Sequence, residues 1–362
     1  MTHILHVVEA LSSGILTSIS TICRVLASDF DHTVLHGARA ETPADPSTVF
    51  PNSTRFVPWD VGRAISPWRD WAAFRALRDT VREVRPDIVH AHSSKAGALA
   101  RLAFPGGGIP IVYSPRGYSF LRQDAGRVGR ATCRAIEKGL GLLPHVTVAC
   151  GLGEYEQALR VSRRAILIPN MLDPRLLPRR RHGSAAGAPL RAAMVGGIRA
   201  QKNFPLFCAI AERFRADEMD FMWIGGGAEG ATAAAPPNVT VTGWLPRDDA
   251  LARLAQADVL LQTALWEGLS IAMLEAMAMG LAVLALPAFG KQELVVEGLN
   301  GYMCTDADAF AARLRELIAA PSRLESFGAA SRDIVHRRHD AMVVADQWRS
   351  LYRHHGRYFR YG

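Results

Sequence analysis

Short runs rich in Val, Ile and Leu alternate with amphipathic stretches along almost the whole chain, and this alternation limits the fold more than any other feature. "HILHVVEA" reads as a strand, "SSG" as a loop and residues 15–27 as a helix. "DHTVLHG" is a second strand. An Arg-rich amphipathic helix over 68–84 leads into the strands "DIVHAH", "IPIVYS" and "HVTVAC". After Gly187 the alternation restarts with "RAAMVGG", "DFMWIGGG", "NVTVTGW", "DVLLQTA", "LAVLALP" and "NGYMC". Apolar strands separated by helices predict parallel sheets covered on both faces. Between the two runs lies "DPRLLPRRRHGSAAGAP", aperiodic and rich in Pro, Gly and Arg, which reads as an interdomain linker. At 362 residues two domains are expected. The reading is α/β: a Rossmann-like domain over 1–175, a linker over 176–189 and a second Rossmann-like domain over 190–339. Residues from about 340 to 362 read as a helical, aromatic-basic tail. Ligands are expected in a cleft at the carboxyl ends of the strands.

Composition narrows the class. The chain is 49% hydrophobic, and its longest apolar stretch, 276–290, contains a proline, so no spanning helix is expected. The first residues lack a basic region and a cleavage site, so no signal peptide is evident. Five scattered cysteines without CxxC spacing suit a reducing cytoplasm and argue against a cysteine metal site. The net charge of +8 comes from 38 arginines and only four lysines, a bias that a GC-rich genome also produces. A basic surface attracts anionic partners. No zinc-finger, basic-zipper or RNP-like pattern points to nucleic acid, so an anionic membrane or a phosphorylated small molecule fits better.

The stretch "WEGLSIAMLEAMAMG", 266–280, concentrates the chemistry. Ser270 reads as the N-cap of a helix running to Met279 and closed by Gly280. Glu267 then lies on the preceding loop, and Glu275 falls about one and a half turns into the helix. The amides of Gly268, Leu269 and Ser270 offer an anion site. Phosphate donors beside carboxylates that accept from hydroxyls suit a nucleotide sugar. The plainer alternative has Glu267 complementing the helix dipole and Glu275 as an exposed polar position. In "MVGGIRAQKNFPLF", Arg199 and Lys202 enter a helix from a loop, placed to grip phosphate. Lys95, Lys202 and Lys291 all read as loop residues after strands, or as ordinary solvated charges. "GGGAEG", 225–230, mimics a dinucleotide fingerprint but lacks the following helix and acid; its glycines more simply shape a loop. "RDD" at 247–249 reads as a helix start. His90 and His92 are either structural or, for His92 with Ser93, Ser94 and Lys95, turned to an acceptor. Trp59, Trp68 and Trp71 surround the Arg-rich helix, which is a core helix or a membrane-docking face.

E-G-x-S-x4-E after a strand, G-x-x-R-x-x-K-N before it, and Gly290 with Glu293 in "AFGKQELVVEGLNG" together resemble the retaining glycosyltransferases of family four, with the GT-B fold. "ILHVVEALSSGILTS", "PDIVHAHSSKAG" and "IPNMLD" extend the resemblance across nearly the whole chain. The resemblance implies two Rossmann-like domains with parallel sheets facing across a cleft, with the last helix clasping the first domain. It implies that Arg199 and Lys202 neutralise the donor diphosphate, that Glu275 holds the ribose and that Glu267 touches the donor sugar. Gly290, Lys291 and Gln292 would position that sugar through their backbone, Gly243 and Trp244 would lie near the base, and Gly14 would let a loop approach the phosphates. No metal or other cofactor is implied, because the cations and helix N-terminus stabilise the leaving group. The implied reaction is retaining transfer from a nucleoside diphosphate sugar, a UDP-sugar first among them, to an acceptor; the basic charge and the placement of the aromatic residues add the expectation of a lipid-linked saccharide in bacterial surface polysaccharide synthesis. The expected place is the cytoplasm, at the inner face of the membrane. Two departures stand out. Arg116 replaces the family's histidine and cannot act as a base; it either binds a phosphate or marks lost catalysis. Met171 replaces a glycine in a local turn. The alternatives are a catalytically silent nucleotide-sugar-binding subunit and a sugar-nucleotide epimerase.

Overall fold

The computed structural model describes all residues except 40, 63, 181–188, 228–234, 289 and 355–362. The tail "HGRYFRYG", most of the expected linker and the end of "GGGAEG" therefore lie outside the described residues. The chain forms two compact units, Met1–Leu172 with Ala341–Gly362, and Asp173–Asp340.

In the first unit the elements run β1 (Thr2–Val8), α1 (Ser13–Leu26), β2 (Phe30–His36), β3 (Arg55–Pro58), α2 (Pro67–Val84), β4 (Ile88–His92), α3 (Ser94–Ala103), β5 (Ile111–Ser114), α4 (Arg127–Leu140), β6 (Val146–Ala149), α5 (Leu152–Val161) and β7 (Ala165–Leu167). In the second they run β8 (Leu190–Val195), α6 (Phe204–Ala211), β9 (Met219–Ile224), β10 (Val239–Val241), α7 (Arg247–Leu254), β11 (Val259–Gln262), α8 (Ile271–Met279), β12 (Ala282–Ala285), β13 (Gly301–Met303), α9 (Ala307–Ala319) and α10 (Pro321–Arg338). The chain then returns to the first unit as α11 (Ala341–Arg353).

The first sheet has the order β3-β2-β1-β4-β5-β6-β7 and the second β10-β9-β8-β11-β12-β13, with every pairing between named strands parallel. Strand order reverses at β1/β4 and at β8/β11, the switch points where such sheets open a crevice at their carboxyl ends. Period-2 alternation divides β1 between two cores: Leu5 and Val7 pack with Leu77 and Ala96, and Ile4 packs with Ile22, Trp348 and Tyr352 of the α1/α11 layer. The Ala341 amide donates to the Leu172 carbonyl at 2.8 Å, and Arg349 Nε donates to Asp29 at 2.8 Å, fixing α11 beside α1. The second core gathers Phe207, Phe221, Trp223, Phe310 and Leu314 around β8, β9 and β11.

Three local expectations change. The edge strands β3 and β7 carry no sequence signal strong enough to name them; one opens on Arg55 and ends on Pro58, the other is three residues long, and neither contains a buried residue. Gly14 lies in the first turn of α1 rather than on a loop. Lys95 likewise lies in the first turn of α3 and not on a loop. Among the described residues, no helix is long and apolar enough to cross a membrane.

Candidate active site

The second unit collects most of the expected residues at the carboxyl ends of its strands. After β8 the chain passes through Gly196, at φ +146°, and Gly197. A Cβ on Gly196 would come within 2.7 Å of the Lys202 side chain, and one on Gly197 within 2.8 Å of the Trp244 ring and 3.3 Å of Arg199 Nε. Two glycines therefore make room for a lysine stem, an arginine and an indole on one short turn. Trp223 Nε1 donates to the Gly196 carbonyl at 2.8 Å, anchoring that turn to β9.

Lys202 ends a 3-10 turn, Ala200–Lys202, and its amine pairs with the Glu267 carboxylate. The loop after β11 is laced to this turn. Thr263 Oγ1 donates to the Lys202 carbonyl at 2.7 Å, Gln201 Nε2 to the Trp266 carbonyl at 2.8 Å, and the Leu265 amide to the Gln201 carbonyl at 2.8 Å. Arg199 and Lys202 thus stand beside the segment Glu267–Ser270 that opens α8. Ser270 caps α8 by accepting from the Met273 amide, and Gly280 closes the helix at φ +82°, as the sequence indicated. Gly268, Leu269 and Ser270 are buried ahead of a helix that is apolar all round except for Glu275.

Glu275 is buried, not an exposed polar position, and it accepts from Arg247 Nη1 at 2.6 Å. Burial raises its carboxyl above the usual range, and the adjoining Arg247 partly offsets this. Gly290 has φ +83°, and a Cβ there would lie 2.1 Å from the Gly268 carbonyl oxygen and 2.7 Å from that of Glu267. Only glycine allows this turn to close on the Glu267 loop. Lys291, completely buried, donates to the carbonyls of Gln262 (3.2 Å) and Ala264. Gln292 is exposed. Gly243, at φ +73°, bridges to Gly225, and Trp244, 47% exposed, lies over Gly197 and Gly226.

In the first unit, the expected residues serve the fold more than they face solvent. His92 is fully buried, and its Nε2 is hydrogen-bonded to His6 Nδ1 at 3.1 Å; His6 Nε2 in turn meets His32 Nδ1 at 3.1 Å. Burial lowers the pKa of all three, to about 4 for His32. They form a chain of neutral imidazoles. His90 bonds Tyr352 (2.7 Å) and Ser114 (2.9 Å), a structural role. Ser93 adopts φ +81° at the junction of β4 and α3, a sparsely populated conformation for a residue with a side chain. Lys95 pairs with Asp70 at 2.6 Å and donates to the carbonyls of Gly62 (2.6 Å) and Ala64 (2.7 Å), so its amine is committed to α2 and the chain before it. Arg116, at φ +57°, donates to Asn170, while its Nε and Nη2 are enclosed without a hydrogen-bond partner among the described residues. Burial lowers its pKa. The turn that carries it is held by Glu154, which accepts from the Gly117 amide (2.6 Å) and the Cys150 amide (2.9 Å). Met171 is buried in the α11 core rather than confined to a turn.

Sequence reasoning missed Arg247, Gln201, Thr263 and Glu154. Arg247 opens the helix marked by "RDD", but nothing local ties it to Glu275, 28 residues on.

Comparison with known proteins agrees with this geometry. The profile of the glycosyl transferases group 1 matches residues 189–320, and that of the glycosyl transferase 4-like domain matches 13–171. An Escherichia coli UDP-Gal:alpha-D-GlcNAc-diphosphoundecaprenol alpha-1,3-galactosyltransferase is 26% identical over 291 residues, 70% of this chain and 72% of that one. Among solved structures, sucrose-phosphate synthase from Thermosynechococcus elongatus superposes with a TM-score of 0.82 at 17% identity, covering 98% of this chain and 99% of that one. Anabaena HepE in complex with UDP-glucose gives a TM-score of 0.76 at 16% identity, covering 98% and 100%. Two parallel α/β units, cations gathered about a capped helix N-terminus and matching profiles over both units lead to one conclusion: the chain is a glycosyltransferase of GT-B fold, with a glycosyl transferase 4-like domain over 13–171 and a group 1 domain over 189–320.

Proposed function

We propose that this protein is a metal-independent, retaining glycosyltransferase that moves a sugar from a UDP-sugar to a lipid-linked saccharide. The observation that carries the reading is the Lys202–Glu267 pair set beside Arg199 and the N-terminus of α8. The cations and helix amides suit a diphosphate leaving group without a metal ion. The sugar–phosphate C–O bond breaks, the acceptor oxygen bonds to the same carbon, and the acceptor proton passes to the departing phosphate oxygen. Glu275, oriented by Arg247, is suited to accept hydrogen bonds from the ribose hydroxyls, and Glu267 to accept from the sugar. No general base is required, so Arg116 is compatible with turnover. The lipid-linked acceptor rests on the diphosphoundecaprenol acceptor in the Escherichia coli relative's name. It also rests on α2 and the residues just before it, where Ile65 (82% exposed), Trp68 (86%) and Trp71 (58%) stand among exposed Arg69, Arg75 and Arg78. Such a face suits the interface of an anionic membrane.

The test is nucleoside-diphosphate release from UDP-, GDP- and ADP-sugars in EDTA, with a membrane lipid extract, for the wild type and Glu275→Ala. Lipid-dependent release that Glu275→Ala abolishes supports the reading and names the donor. Binding of a nucleotide sugar without release, restored to turnover by Arg116→His, replaces it with a silent binding subunit.

A further inference from the structure

Lys291 is the least expected charge in the second unit. Its side chain has no exposure, and its two hydrogen-bond acceptors among the described residues are the Gln262 and Ala264 carbonyls at the end of β11. A neutral amine has two N–H groups, and those carbonyls use both; an ammonium has a third that must find an acceptor. The charged groups facing it are Glu267, from the loop ahead of α8, and Lys202, from the turn after β8, and these two are already paired with each other. Backbone contact between Gly290 and the carbonyls of Glu267 and Gly268 holds the Lys291 turn against the segment that opens α8.

We propose that Lys291 is a switchable cation of the donor site, losing its charge above neutral pH when no anion is bound and keeping it when the diphosphate of a nucleotide sugar settles beside it. This inference rests on the donor reading above. Three features support it. The amine is completely enclosed, its neutral form is fully satisfied, and burial brings its pKa down to about 7, with Glu267 and Lys202 acting in opposite directions. An anion within a few ångströms raises such a pKa by roughly 1–3 units, enough to keep the amine charged above neutral pH. By linkage, donor binding then takes up a proton. Affinity is flat below about pH 7 and falls up to about tenfold per unit between the free and bound pKa values.

The experiment is calorimetric titration with UDP-glucose from about pH 6 to about pH 8.5, in buffers of different ionisation enthalpy. The diphosphate of UDP-glucose is doubly esterified and does not titrate there, so proton uptake reports the protein. The wild type is expected to take up almost no proton at the acid end and between about half and one proton per ligand near pH 8. Lys291→Met should abolish the uptake and flatten the pH dependence of Kd. Zero uptake by the wild type near pH 8, or unchanged uptake by Lys291→Met, overturns the proposal. If Lys291→Met does not fold, the wild-type series decides alone. GDP- and ADP-glucose are titrated in parallel, and absence of binding by all three removes the donor reading itself.

Discussion

In the first unit, the charges buried between α3 and α4 answer one another. Arg101 pairs with Glu137 at 2.9 Å and lies over the Tyr113 ring, and Tyr113 donates to the same carboxylate at 2.8 Å. In the second, cations gather at the strand ends: Arg199, Lys202 and Arg247, with the switchable amine of Lys291, stand against the carboxylates of Glu267 and Glu275. The same parallel-sheet plan thus spends its polar groups in two ways. Mutual satisfaction makes a polar core part of the fold; a surplus of one sign prepares a place for the opposite one.

The sharpest break of this contrast is removal of one partner in the first unit. Arg101→Ala strands a buried Glu137 and should cost about 3–5 kcal/mol in urea unfolding, with transferase activity per folded molecule retained. In the second unit the cost should fall on chemistry. Lys202→Ala should lower kcat/KM for sugar transfer by about 100-fold or more, while the unfolding midpoint shifts little.

Acid should separate the units. His6, His32, His90, His92 and His145 are all buried in the first unit, and each has its pKa lowered from 6.5, chiefly by burial, to about 4 for His32 and about 3 for His145. The unfolded chain binds protons near pH 6.5 that the folded unit refuses. Stability is therefore complete above that pH and drains away as pH falls towards the folded values, by about 1.4 kcal/mol per pH unit for each histidine. Hydrogen exchange read by mass spectrometry between pH 7 and 5 should show peptides of 1–172 losing protection first; simultaneous loss in both units contradicts this. The smallest effect is expected at α2. Trp68→Ser should leave stability within about 0.5 kcal/mol but lower cosedimentation with anionic vesicles several-fold.

The interior strands were legible because burial on both faces writes them as near-continuous apolar runs, as in "AVLA" and the "VLL" that opens β11. The edges β3 and β7 escape that rule because one side of an edge strand has no neighbour and little needs to be apolar. Ser270 and Gly280 were readable because capping is local, decided within a few residues. The Glu275–Arg247 and Lys95–Asp70 pairs were not, because charge pairing across a fold leaves no mark on spacing. Lys95 shows the consequence: read as a loop charge turned to an acceptor, it is held by α2.

The helix that completes the first unit is encoded after the second, which has a consequence for synthesis. A ribosome releases 1–172 and must then translate all of 173–340 before α11 emerges. At elongation rates of about 5–20 residues per second that interval lasts roughly ten to thirty seconds. Throughout it, Ile4, Ile22, Leu26 and Val112 lack the cover that Trp348, Leu351 and Tyr352 later supply. The nascent chain therefore carries an uncapped apolar face past the time its neighbour is made, and a message truncated just before codon 341 would leave that face open for good.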